Sequence, residues 1–305
     1  MITKECMENA AYRAITRGST NISPDVRKAF DEAILKERDA GAKEGLERTL
    51  ESIKLAETKV LPACADTGWP IFFIKAGNEA ELEGGFMALE EAVKNAVRRA
   101  TKEGIIRKTM KDPLSGYDPG DNIGPNIPDF SYRFVPGNSL EITYCAKGGG
   151  SECFGGTRQK VVAFADGTKG IEKFVIDAFA DAARAGAICP PSVIGVGIGG
   201  TANVAANLAK EAATLRLVGS HHTDERIRIM EERLLKGING LGFGILGAGG
   251  DTSALAVNVE YAYTHIAGIV VAISCNCMVA RRATVQIRSD NCISDREGAF
   301  WFGDR

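Results

Sequence analysis

Despite its eight cysteines, the 305-residue chain contains no Cys-x-x-Cys pair. That absence excludes a zinc ribbon or a ferredoxin-like site built from paired ligands. Histidine is scarce: only His221, His222 and His265 occur. The adjacent pair makes a poor metal site, because neighbours on an extended backbone point to opposite faces. Neither charge sign dominates, with 37 Lys and Arg against 39 Asp and Glu. No global basic field therefore recommends nucleic acid as a partner. No apolar run is long enough to span a bilayer, and the N-terminal Met-Ile-Thr-Lys-Glu-Cys lacks an apolar signal core. The expectation is a cytoplasmic protein without a membrane partner. There is no internal repeat and no low-complexity linker. What is present, 45% hydrophobic and 25% charged residues, is ordinary globular composition, and a single domain is expected over residues 1–305.

Without a signal peptide, the cysteines read as thiols, metal ligands or redox groups rather than disulfides. Three stand alone in unusual loops: Cys64 in Ala-Cys-Ala-Asp-Thr-Gly, Cys189 in Ile-Cys-Pro-Pro, and Cys277 in Asn-Cys-Met-Val-Ala-Arg-Arg. Spacing alone leaves two readings open. They are small buried apolar residues, or they hold an iron–sulfur cluster by three corners and leave the fourth iron to a substrate. Cys275 and Cys277 share a Cys-x-Cys spacing that lets both reach one metal.

Residues 1–60 are rich in Ala, Glu, Lys, Leu and Arg. Two or three helices are predicted there, one starting at Ser23-Pro24 with Ser23 as the cap. A buried strand is predicted over 71–75 and an amphipathic helix over 81–102. Residues 111–138, with Pro113, Pro119, Pro125, Pro128 and Pro136, are predicted to be irregular. Strands over 139–146, 193–197, 254–263, 269–274 and 283–287 alternate with helices over 169–187, 202–214 and 223–236. A helical N-terminal part followed by a mixed sheet with flanking helices is an α+β fold.

Several segments carry chemistry. Gly195-Val-Gly197-Ile-Gly199-Gly200 matches a dinucleotide turn, yet Thr214–His222 offers no carboxylate for a ribose. The motif is a weak signal, and a generic anion-binding or packing turn is the preferred reading. Gly148, Gly149 and Gly150 lie between Lys147 and Ser151, and their exposed N–H groups suit a carboxylate; a flexible hairpin is the other reading. Asp66 and Thr67 follow Cys64 closely enough to orient water or substrate, or to cap a turn. Arg107 precedes the irregular loop, where a guanidinium suits a carboxylate or simply faces solvent. Asp121-Asn122 has the composition of a turn, and His265 is the histidine better placed to line a site.

Taken in order, five segments resemble the class I fumarase and L-tartrate dehydratase family of iron–sulfur hydro-lyases, and specifically its α subunit or N-terminal half. They are Cys64–Gly68, Lys147–Cys153, Cys189–Gly199, Gly249–Val257 and Cys277–Arg282. The last selects Cys277 over Cys275. The resemblance implies a [4Fe–4S] cluster on Cys64, Cys189 and Cys277. It implies Asp66 as a catalytic and substrate-binding group, with Thr67, Arg107, Gly148, Gly149 and Gly150 binding substrate. The implied reaction is reversible dehydration of a dicarboxylic 2-hydroxy acid, malate and fumarate first, then tartrate or a methylated malate. A non-catalytic iron–sulfur scaffold and a dinucleotide-binding oxidoreductase are the other classes. A β subunit is implied to complete the site, in an α2β2 heterotetramer. Two departures stand out: Ala65 in place of a Gln, and Asp251 where a basic or neutral residue is usual.

Overall fold

The computed structural model describes residues 1–297 and 301–302. In chain order its elements are α1 (Lys4–Thr20), α2 (Pro24–Lys36), α3 (Ala40–Lys59), β1 (Trp69–Gly77), α4 (Gly85–Lys102), β2 (Asp129–Val135), β3 (Leu140–Lys147), α5 (Gly149–Glu152) and β4 (Thr157–Val162). There follow α6 (Gly167–Arg184), β5 (Ser192–Ile198), α7 (Ala202–Leu215), α8 (Glu225–Asn239), β6 (Ala254–Tyr261), β7 (Ile269–Asn276), β8 (Arg281–Ile287) and β9 (Ile293–Arg296). Three helices fill the N-terminal stretch and mixed sheets follow, so the fold is α+β. The chain divides into two compact units. One holds Met1–Ser23, Ser52–Lys147 and the described residues from Arg281 on; the other holds Pro24–Glu51 and Gly148–Ala280.

The first unit is built on a five-stranded sheet in the order β2-β1-β3-β8-β9. Only the β1–β2 pair is parallel. Helices α1 and α4 pack on the face carrying Phe72, Ile74, Ile142, Tyr144 and Val285. The stripe Leu89, Ala92, Val93, Ala96, Val97 and Ala100 recurs at helical spacing and buries one side of α4. Helix α1 comes close because Gly18 has no side chain: a Cβ there would lie 2.8 Å from the Tyr144 ring. Strand β2 lies inside the segment expected to be irregular. It is an edge strand, begun directly after Pro128, and edges tolerate proline at their start. Phe130 stacks on Phe72 with ring centroids 5.9 Å apart, and that contact rewards strand pairing.

The second unit has a four-stranded sheet in the order β4-β7-β5-β6, with β5 and β6 parallel. Ile194, Val196, Val257 and Val259 face a core shared with Val175, Phe179 and Leu234 of α6 and α8. The opposite face of β5 is glycine because the α7 backbone lies on it. A Cβ on Gly195 would stand 2.0 Å from the Ala209 carbonyl oxygen, and one on Gly197 2.0 Å from that of Ala205. Packing thus accounts for the first glycines of the G-x-G-x-x-G run. Gly199 and Gly200 turn the chain at φ of +82° and +70°.

Candidate functional site

In the first unit the loop leading into β1 carries Cys64, Asp66 and Thr67, and it is tied to the segment after α4. The Arg107 guanidinium donates from Nη1 to the Ala65 carbonyl oxygen at 2.6 Å. The Thr67 hydroxyl accepts from Arg107 N at 3.0 Å and lies 3.3 Å from the Arg107 carbonyl oxygen. Thr67 is buried, whereas Asp66 and Arg107 are exposed. Asp66 Oδ1 accepts from Gly68 N at 3.0 Å and so closes a turn. The structure therefore brings Asp66, Thr67 and Arg107 together beside Cys64. It gives Thr67 a bracing position, with its hydroxyl between backbone groups of residue 107.

Asn122 is the residue that sequence reasoning treated as a turn former and the structure makes a brace. It is 2% exposed, with φ of +61°. Its Oδ1 accepts from Thr109 N at 2.9 Å and Met110 N at 3.2 Å. Its Nδ2 donates to the Arg107 carbonyl oxygen at 2.8 Å and to the Thr101 hydroxyl at 3.1 Å. The one available signal was an Asn between turn residues, the side chain that best tolerates the left-handed region.

In the second unit Gly148 caps the single turn α5. Gly150 presses on the segment before Cys189, where a Cβ would lie 2.0 Å from the Ala187 carbonyl oxygen. Met278 N donates to the Cys189 carbonyl oxygen at 3.0 Å. Cys275 N donates to the Gly156 carbonyl oxygen at 2.7 Å. The triple-glycine turn, the Cys189 loop and the Cys277 loop thus meet through backbone contacts. Cys277 is half-buried and Cys189 exposed, while Cys275 belongs to the hydrophobic core. Burial distinguishes the two members of the Cys-x-Cys pair: Cys275 lies in the core and Cys277 does not. His265 is exposed, with Nδ1 accepting from Ala267 N at 3.1 Å within its own turn.

Asp251, the misplaced negative charge, has a local counter-ion. Arg38 grips it from Nη2 to Oδ1 at 2.6 Å and from Nε to Oδ2 at 2.8 Å. Those bonds hold its carboxyl down at about 2. The Glu37 carboxylate accepts from Asp251 N at 2.9 Å, fixing the backbone as well.

The donor set at Cys64, Cys189 and Cys277 is soft thiol sulfur, which suits iron–sulfur chemistry rather than a hard cation. Cys6, Cys145 and Cys275 are buried, whereas Cys64 and Cys277 are half-buried and Cys189, Cys153 and Cys292 exposed. Among the described residues, no three or more His, Cys, Asp or Glu side chains within either unit are assembled as a site for a lone metal ion. The residues fit a cluster in donor type and in the glycine cradle beside Cys189.

A family profile described as fumarate hydratase (Fumerase) matches residues 8–286. The chain belongs to this family. A Methanocaldococcus jannaschii protein provisionally named L(+)-tartrate dehydratase subunit alpha is 40% identical over 271 residues, covering 87% of this chain and 92% of that protein. L(+)-tartrate dehydratase subunit alpha of Escherichia coli K12 is 35% identical over 230 residues, covering 75% of this chain and 73% of its own. The corresponding subunit of Shigella sonnei shows the same identity and coverage. Membership makes the chain a hydro-lyase subunit. Among the described residues, no helix is long and apolar enough to cross a membrane.

Proposed function

We propose that this chain is the α subunit of a [4Fe–4S]-dependent hydro-lyase that adds or removes water at a small dicarboxylic 2-hydroxy acid. The observation that carries the reading is the meeting of the Gly148–Gly150 turn, the Cys189 loop and the Cys277 loop in the second unit. Cys64, Cys189 and Cys277 would hold the cluster, which when bound supplies a Lewis acid for the hydroxyl that leaves. Arg107 would pair with a substrate carboxylate as a bidentate donor. The Gly148–Gly150 N–H groups would bind a carboxylate or hydroxyl, and the exposed Asp66 side chain would orient a hydroxyl or accept a proton. Thr67 and Asn122 would act by holding the Arg107 segment in register.

The names of the relatives favour L-tartrate as substrate; the family description favours malate and fumarate as the second reading. Ala65 supports a change of specificity, since methyl replaces an amide beside Asp66. The relatives are named as alpha subunits, so we further propose a β subunit that completes the site, within an α2β2 assembly in the cytoplasm. Residues 1–305 would serve as one functional domain.

The test is anaerobic reconstitution with iron and sulfide, followed by dehydratase assays with and without the companion subunit. A brown protein whose broad visible absorbance is lost on Cys64→Ser, Cys189→Ser or Cys277→Ser supports the cluster. Turnover of tartrate over malate then selects the substrate. A colourless protein after reconstitution refutes the reading.

A further inference from the structure

Arg281 opens β8 and is 1% exposed, yet its Nε and Nη1 are buried without a hydrogen-bond partner. Burying a guanidinium with N–H groups unmatched is strongly unfavourable unless an anion meets it. Arg282, its neighbour, points to the other face of the strand and donates from Nη2 to the Ser23 hydroxyl at 3.2 Å. The pair is therefore not a duplicated surface charge.

Position narrows what the missing acceptor is. Arg281 stands opposite Ala146 in the β3–β8 register, and Ala283 stands opposite Tyr144 on the same face. The last turn of α1 covers that spot, since a Cβ on Gly18 would lie 3.3 Å from Ala283 N. One residue on, the Ser19 carbonyl oxygen accepts from Ala63 N at 2.9 Å. Ala63 immediately precedes Cys64. Strand β1 starts at the same end of the sheet, with Pro70 opposite Ala146. Arg281 and the anchor of Cys64 thus share one end of one sheet.

We propose that Arg281 is a positioning residue whose buried guanidinium answers the negative charge of the cluster seated at Cys64. This rests on the reading under Proposed function. A dicationic cluster core held by three thiolates is net anionic, and its sulfurs accept N–H bonds. Such bonds raise a cluster's reduction potential. A guanidinium left unmatched in the apoprotein destabilises that form and is satisfied when the cluster binds.

The experiment compares the full chain with Arg281→Met and Arg281→Lys, each as apoprotein and after anaerobic reconstitution. The apo Arg281→Met chain should melt above wild type, because an unmatched buried charge is gone. Its reconstituted form should surrender iron to a chelator roughly tenfold faster, with a lowered reduction potential. Arg281→Lys should fall between the two. Wild-type retention and potential in Arg281→Met would overturn the proposal. So would a shift confined to KM, which would assign the guanidinium to a substrate carboxylate, and so would an apo variant that melts lower or fails to fold. Failure of wild type itself to take up a cluster would remove the underlying reading, and the wild-type sample alone decides that.

Discussion

Replacing Asn122 with Ala should unfasten the Arg107 segment. The variant strips acceptors from Thr109 N and Met110 N and a donor from the Arg107 carbonyl oxygen. Both amides belong to half-buried residues, so partial hydration puts each unpaired amide near the low end of the range, about 1 kcal/mol, while the Arg107 carbonyl oxygen keeps the Thr67 hydroxyl as a donor. Alanine at the φ of +61° adds about 1 kcal/mol of backbone strain. The expected loss is about 3 kcal/mol in the unfolding free energy of the first unit. Asn122→Gly, which removes the same bonds but not the φ tolerance, should lose only about 2 kcal/mol. The chain has two tryptophans, Trp69 and Trp301, both in the first unit. Urea titration followed by tryptophan fluorescence therefore reports this unit specifically. An Asn122→Ala unfolding free energy within about 0.5 kcal/mol of wild type, or a Gly variant no more stable than Ala, would refute the reasoning.

Three further outcomes follow from single contacts. Gly150→Ala must displace the Ala187 carbonyl and with it the chain leading to Cys189, so the reconstituted variant should hold less iron by direct metal analysis and lose about 1–3 kcal/mol in thermal melts. Cys275→Ser places a hydroxyl in the core and should cost about 1–3 kcal/mol while keeping the brown colour; Cys277→Ser should do the reverse. Asp251 has a depressed folded-state pKa of about 2 set by Arg38. Its contribution is complete above the unfolded-state value and is lost as pH falls from there through the folded value. The melting-temperature gap between wild type and Asp251→Asn should therefore close between about pH 5 and about pH 2.

Local pattern made much of this fold readable. The Ser23-Pro24 helix start, the apolar stripe of α4 and the strand–glycine–helix order of β5 and α7 are short-range signals, and each became the expected element. Strand β2 was obscured by the prolines around it. The alternation Phe130, Tyr132, Phe134 lies between Pro128 and Pro136, and proline count outweighed period. Its pairing depends on Phe72, which no local window contains. Strand β4 was hidden likewise: it is an edge whose outward residues are mostly polar or charged, with no apolar run to announce it.

Charges were the least legible part, because a charge declares its chemistry but not its partner. Asp251 stood out in the sequence as a carboxylate where a basic or neutral residue is usual. It is matched by Arg38, 213 positions away, and the match is invisible until the loop before α3 meets the turn before β6. Arg281 and Arg282 are adjacent cations in the sequence, but strand alternation sends the two side chains to opposite faces. One finds a hydroxyl and the other is left buried with N–H groups unanswered. A sequence rule that expects arginine outside fails at such a residue. A buried guanidinium with unmatched N–H groups calls for a partner, and the cluster we propose at the Cys64 end of the sheet would have the sign and the acceptors to be it.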